Sequence, residues 1–449
     1  MRPVWNRHGV GIQGCACVEA HRVRVAAERS RVRRRARGYQ NLQISPSGWM
    51  VSVVSVNSYR IVDSLLVAVI LLPMQVISLF SGAGGLDLGF EKAGFTTVFA
   101  NEYDKTIWST YEANFPNVKF DRRSIVDIPA DQIPKVNIDG LIGGPPCQSW
   151  SEAGAHRGIE DQRGQLFFEY ERILRHVKPK FFLAENVSGI MSSRHDAAFR
   201  TIIKRFDDLE YDVKVEKLRA SDFGVPQDRD RVIIVGLRRD LGCEFAFPEP
   251  LATKRTLREA IGDLPDPQPN PSYSKRVDHA IPNHEYVVGG FSSMYMSRNR
   301  VRAWDEQSFT IQAGARHAPI HPSAPKMEKV GADAFRFALG SEDKYRRLSV
   351  RECAHIQTFP TGHQFCYDRI ADGYKMIGNA VPVEFARHLA NAVKSALEGG
   401  GVNGGTLRRC AKVTQSEAVE VKAKGRAARS ERAKKDNAPG QLVLPFEDR

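Results

Sequence analysis

From Met74 onward, short apolar runs of strand length alternate with longer amphipathic stretches, and this alternation restricts the fold more than any other feature. Strand-like runs fall at residues 76–80, 97–101, 138–142, 181–184, 213–218 and 232–236. Between them, one stretch carries Leu166, Tyr170, Ile173, Leu174 and Val177 and stops at Pro179. Another carries Phe199, Ile202, Ile203, Phe206 and Leu209. Apolar residues three and four apart line one face of a helix. Strands alternating with helices of this length predict an α/β fold built on a doubly wound, mostly parallel sheet.

The alternation fails over residues 240–345, which are rich in Pro, Asn, His and Arg and hold only short strand-like pieces such as 308–312. This region reads as a smaller, irregular second domain. Helical periodicity returns at 347–358 and ends with Phe385, Leu389, Val393 and Leu397, halted by Gly399-Gly400-Gly401. The expected organisation is therefore residues 74–239 as one catalytic and cofactor-binding part, 240–345 inserted, and 346–398 returning to the first. Residues 399–449, a low-complexity tail of Lys, Arg, Ala and Glu, are expected to be disordered. Because Met74 is followed at once by a buried-strand pattern, residues 1–73 are expected to be disordered or untranslated.

The net charge of +13 invites a nucleic-acid partner, but the excess lies in the tails. Residues 1–37 carry a net +8 and residues 399–449 a net +5, which leaves the stretch between them neutral. A DNA-binding face must come from local asymmetry, for instance Arg298, Arg300 and Arg302. The seven cysteines (Cys15, Cys17, Cys147, Cys243, Cys353, Cys366 and Cys410) form no paired CxxC elements, so no metal site is expected and a reducing cytoplasm fits best. The apolar run 65–72 is far shorter than the ~20 residues that cross a bilayer.

Three places carry chemistry. The first strand opens into Ser81-Gly82-Ala83-Gly84-Gly85, where glycines permit a sharp turn and close approach of a ligand. Glu102, twenty residues beyond Gly82, can accept hydrogen bonds from ribose hydroxyls. These two features fit a nucleoside cofactor, nicotinamide dinucleotides included. Next, Gly143-Gly144-Pro145-Pro146-Cys147-Gln148 places a cysteine just past a strand, on a loop stiffened by two prolines, where open α/β sheets bind ligands. Glu185 closes the apolar strand 181–184 at the same edge; it is costly to bury without a partner, and such a site suits a proton donor. Finally, Gln227-Asp228-Arg229-Asp230-Arg231 brings two guanidiniums to the next strand, suited to anion or base contacts.

In this order the elements resemble the DNA cytosine-5 methyltransferase family. The matching pieces are the FSGAGG turn, Pro146-Cys147-Gln148, Glu185-Asn186-Val187, Gln227-x-Arg229-x-Arg231, Arg347-Leu348-Ser349-Val350-Arg351-Glu352 and Gly378-Asn379-Ala380-Val381-Pro382. Similarity continues through residues 161–167 and covers essentially 75–397. The resemblance implies a Rossmann-like S-adenosylmethionine-dependent methyltransferase with a target-recognition domain at 240–345. It implies Cys147 as nucleophile, with Glu185, Arg229 and Arg231 as its catalytic partners. It assigns Phe80, Gly82, Gly84, Glu102, Leu166, Asn379 and Val381 to the cofactor pocket, with Phe80 stacked on the adenine. One position departs: Ser124 stands where the family usually has an Asp bonded to the adenine amino group, so weaker cofactor binding is expected unless Asp127 substitutes.

The resemblance also implies double-stranded DNA as partner and a flipped-out target cytosine. Gln148, Arg298, Arg300 and Arg302 are its expected DNA contacts. The stretches 283–286 and 296–302 are similar to those of type II modification methyltransferases acting on GGCC, and are expected to read guanine edges and phosphates. A bacterial, cytoplasmic, nucleoid-associated monomer that protects host DNA in a restriction-modification system is the expected setting. The alternatives are a tRNA cytosine-5 methyltransferase and a non-catalytic DNA-binding relative. In the tail, Gln441, Leu442, Leu444 and Phe446 resemble the short peptides that dock on the replication sliding clamp.

Overall fold

The computed structural model describes residues 43–44, 50–51, 73–146, 162–271 and 281–399. Cys147, Gln148 and the tail peptide therefore lie outside the described residues. The chain divides at residue 74. In the first unit, Gln43–Ile44 pairs antiparallel with Met50–Val51.

The second unit is organised by seven strands: β1 Gln75–Leu79, β2 Thr96–Asn101, β3 Lys119–Asp121, β4 Gly140–Gly143, β5 Phe181–Val187, β6 Tyr211–Arg219 and β7 Asp230–Arg238. Their order in the sheet is β3-β2-β1-β4-β5-β7-β6. The first five pair in parallel, and β7 alone runs antiparallel to both neighbours. The chain winds outward from β1 to β3, then returns to lay β4 on the other side of β1. That reversal opens a crevice at the carboxyl ends of β1 and β4, the place where such sheets bind ligands.

Helices α1 Gly85–Lys92, α2 Trp108–Asn114, α3 Gln162–Val177 and α4 Asp196–Asp207 follow β1, β2, β4 and β5. The central parallel strands β1, β4 and β5 are buried on both faces, which is why they read as continuous apolar runs. On one face Phe182 packs with Phe206 and Tyr211 at ring distances of 4.5 and 5.2 Å. On the other, Phe181 stacks on Phe90 of α1 at 6.1 Å. Each such ring removed from water is worth about 1.5–3 kcal/mol.

Residues 240–345 hold α5 Leu257–Ile261, the parallel pair β8 Gln268–Asn270 and β9 Glu285–Val287, and the hairpin β10 Glu328–Gly331 and β11 Ala334–Arg336. They feed two cores. Leu257, Ile261, Val287, Ile311 and Ala318 join the cluster of α6 Val350–Ile356 and α7 Ile370–Asn379. Tyr295, Val301, Ile320, Met327 and Tyr345 form a separate small cluster. The strand-like piece at 308–312 makes an isolated bridge, Gln227 to Ser308, rather than a strand. The chain then closes the sheet with α8 Val383–Gly399, which lies along α1 and is tied to it by Lys92 Nζ to Glu384 Oε1 at 3.1 Å.

Candidate active site

Phe80, Gly82 and Gly84 all take positive φ values, 55°, 55° and 80°, and so wrap the chain tightly between β1 and α1. A Cβ on Gly85 would lie 2.2 Å from the Val381 carbonyl oxygen, whereas one on Gly82 would meet nothing within 4 Å. The turn is thus packed hard against Val381 on one side and open on the other. Glu102, at the end of β2, accepts from the Gly82 N–H at 3.0 Å through Oε2 and from the Asp104 N–H at 2.8 Å through Oε1. Burial raises its pKa, partly offset by these donors.

Asn101, which sequence reasoning passed over, shapes the neighbouring loop: its Nδ2 donates to Asp121 O at 2.9 Å and Arg123 O at 2.8 Å. A polar amide closing an apolar strand was the available signal. Ser124 follows directly, ahead of the 3-10 turn Ile125–Asp127. Leu166 and Phe80 both pack against the same hydrophobic cluster beneath β1 and β4. Asn379 is exposed at the end of α7, two residues ahead of the Val381 that backs the turn.

At the neighbouring edge, Asn186 Nδ2 donates to Pro145 O at 2.9 Å and anchors the loop that leads to Cys147. A Cβ on Gly144 would lie 3.4 Å from Glu185 Oε2, so the carboxylate flanks that loop. Glu185 is 9% exposed and is not solitary. Arg231 Nε forms an ion pair with its Oε1 at 2.7 Å, placed there because β5 and β7 align Val187 with Arg231. This pair supplies the partner that burial of an acid demands.

Arg229 sits elsewhere. At 1% exposure, its Nη1 donates to Ile311 O at 3.1 Å and its Nη2 to Gly378 O and Ala380 O at 3.0 and 3.1 Å. Burial, with Arg231 nearby, pulls its pKa down to about 9. Its guanidinium clamps the approach to β7 onto the end of α7. Gln227 reinforces the clamp, bonding Gln357 and the Ile311 N–H at 2.9 Å each.

The expected DNA contacts separate. Arg300 donates to Tyr295 O at 2.7 Å and Met294 O at 3.0 Å. Arg302 pairs with Asp228 at 3.0 Å and lies over the Phe309 ring at 4.2 Å. Arg298 forms no ion pair among the described residues and lines, with His317 and Gln312, a cavity of about 210 Å³. The expectation for 283–286 needs correction: Asn283, His284 and Glu285 are buried, so they do not present their edges to a groove. Asn283 bonds Phe365 O and Arg351, His284 faces Ser349 and Pro265 O, and Glu285 accepts from Asn270 and Tyr367. These polar groups satisfy one another and hold residues 240–345 to α6. Among the described residues, no cluster of His, Cys, Asp or Glu is placed to hold a metal, and no helix is long and apolar enough to cross a membrane.

A doubly wound sheet with a glycine turn, a carboxylate at β2 and a Glu–Arg pair at the next strand edge defines an α/β enzyme of the methyltransferase type. Residues 74–395 match the C-5 cytosine-specific DNA methylase family, and the chain belongs to it as a DNA cytosine-5 methyltransferase. The type II methyltransferase M.NgoPII of Neisseria gonorrhoeae is 54% identical over 331 residues, covering 73% of this chain and 97% of its own. M.MthTI of Methanothermobacter thermautotrophicus is 54% identical over 330 residues, covering 73% of this chain and 98% of its own. Among solved structures, a DNMT2 mutant of Spodoptera frugiperda superposes with a TM-score of 0.54 at 18% identity, covering 72% of this chain and 99% of its own, a likeness of fold.

Proposed function

We propose that the enzyme methylates C5 of a cytosine flipped out of duplex GGCC, using S-adenosylmethionine and a transient bond from Cys147, and so protects host DNA beside a restriction endonuclease. The Glu185–Arg231 pair flanking the loop that leads to Cys147 is the observation that carries this reading.

The cofactor fits the residues present. The open side of the turn at Gly82 leaves room for a ligand. Glu102 uses one acceptor site on each oxygen, of the roughly four a carboxylate has, and keeps capacity for ribose hydroxyls. Phe80, Gly82, Gly84, Leu166, Asn379 and Val381 would surround the rest, with Ser124 toward the adenine. When bound, the cofactor supplies an electrophilic methyl carried on a sulfonium.

Cytosine C5 is a poor nucleophile until a thiolate adds at C6 and makes the ring an enamine. Cys147 is the group for that addition. Glu185 holds a proton at N3, so charge does not accumulate on the ring, and Arg231 fixes the carboxyl in place. After methylation the C5 proton leaves to a base, and the Cys147 thiolate departs as the aromatic ring is restored.

Bisulfite sequencing of a plasmid from cells expressing the chain, beside a Cys147→Ala control, tests this reading. Protected cytosines confined to GGCC and absent from the control are expected. Protection at another motif would overturn the specificity alone; none, with soluble protein, would move the substrate to RNA. The tail residues Gln441, Leu442, Leu444 and Phe446 are proposed to dock on the sliding clamp. Binding to purified clamp that is lost on changing Leu444 and Phe446 to Ala is expected, and equal retention would dismiss it.

A further inference from the structure

The recognition region and the catalytic strand meet at Asp228. This residue stands just ahead of β7, beside the buried clamp Arg229, and residues 302–310 engage its side chain and main chain together. Its Oδ2 accepts from Arg302 Nη2 at 3.0 Å. Its main-chain N–H donates to Ser308 O at 2.9 Å, and its carbonyl accepts the Thr310 hydroxyl. Arg302 is held from its other sides by the Phe309 ring at 4.2 Å and by Glu306 at 3.7 Å. Asp228 also lines the cavity that Arg298 and His317 share. The two side chains of the pair are 28% and 31% exposed, so the pair adds little stability by itself. What it fixes is register.

We propose that Asp228 and Arg302 are positioning residues for methyl transfer: they lock the segment bearing Arg298 onto the strand that carries Arg231, so that contact with the correct site aligns the Glu185–Arg231 pair. In this role they act through the start of β7 rather than on the base. The inference rests on the function proposed above. Its physical basis is the steepness of catalysis with geometry, since a misplacement of about 1 Å costs on the order of a hundredfold in rate. Only Arg229 and Asp230 separate Asp228 from Arg231, and Arg229 is pinned to Ile311, so slippage of 302–310 is transmitted directly into the start of β7.

The test uses the full chain with Asp228→Asn, Arg302→Gln, the double variant and Arg302→Lys. Single-turnover methyl transfer is measured at saturating duplex carrying the target site, alongside duplex affinity as a function of salt and thermal melting. Each single variant is expected to lose roughly tenfold in rate, and the double no more than the worse single, because one interaction is removed either way. Arg302→Lys, which keeps the charge, should regain most of the rate. The salt slope and the melting temperature should hold. A double variant whose loss is the product of the singles overturns the proposal. So does a rate loss that only follows melting, or a salt slope reduced by about one, the mark of a phosphate contact at Arg302. Wild-type enzyme silent on every duplex sinks the proposed function and this inference together. Active wild type with any of the overturning outcomes sinks the inference alone.

Discussion

Glu185 is tolerated at the end of an apolar strand because Arg231 meets it at 2.7 Å, and the same contact aims its carboxyl toward the loop ahead of Cys147. Replacing it with Gln keeps the shape and removes the acid. Glu185→Gln should lower turnover by about 10²–10⁴-fold with duplex binding retained, read by radiolabelled methyl transfer and a gel-shift titration. Ser124 poses the converse question. A hydroxyl accepts a neutral hydrogen bond, whereas a carboxylate accepts a charge-assisted one roughly twice as strong. The position precedes a 3-10 turn, where Asp is also locally acceptable. Ser124→Asp is therefore expected to tighten S-adenosylmethionine binding by about tenfold in calorimetry. Unchanged affinity would mean that this side chain does not face the adenine.

The turn between β1 and α1 works because it is wedged against the segment after α7. Gly85→Ala would drive a Cβ to 2.2 Å from the Val381 carbonyl, a backbone atom with no rotamer to escape through. A loss of about 2–4 kcal/mol in urea unfolding is expected, together with weaker cofactor binding, because Val381 must retreat. Elements like this turn were legible in sequence: apolar runs with strand spacing, glycines, and an acid at the right distance report local chemistry. The strands expected at 76–80, 97–101, 181–184 and 232–236 all lie within observed β1, β2, β5 and β7, apart from Phe80, which begins the turn. Residues 240–345 were less legible for a physical reason. Asn283, His284 and Glu285 look like surface readers in a row of letters, yet their partners Ser349, Arg351 and Tyr367 lie more than sixty residues away. Nor does a row of letters show the three carbonyls, brought in by distant segments, that take up the Arg229 guanidinium. Periodicity encodes which face is buried; it does not encode which polar groups find each other.

Across the whole molecule the basic excess sits in the two tails, so the pH response of the folded unit turns on a few buried carboxylates rather than on net charge. Burial raises Asp87 to about 6, although the Tyr111 hydroxyl donates to it at 2.7 Å. Burial, and secondarily the charge on Asp87, raises Glu91 to about 7, and its carboxylate has no cationic partner among the described residues. Both groups lie on α1, on the side toward Tyr111 of α2. Their folded pKa values exceed the unfolded ones of 3.8 and 4.5, so between those limits the folded chain binds more protons than the unfolded chain. Stability contributed this way is fully present at low pH and is lost as pH rises toward 7. Other carboxylates act oppositely: Glu352, buried but bonded to Arg346 and Ser349, is held below its usual value and stabilises above it. Glu91→Gln isolates the first effect, because the amide fills the same space and carries no charge. Glu91 is only half-buried, so solvent screening reduces the effect to about 1–2 kcal/mol. Urea unfolding should show the variant more stable than wild type by that amount at pH 8 and nearly equal to it at pH 4.5. A constant difference across that range would mean that Glu91 ionises in the folded chain as it does in the unfolded one, and that the side of α1 shared by Asp87 and Glu91 carries no pH dependence of its own.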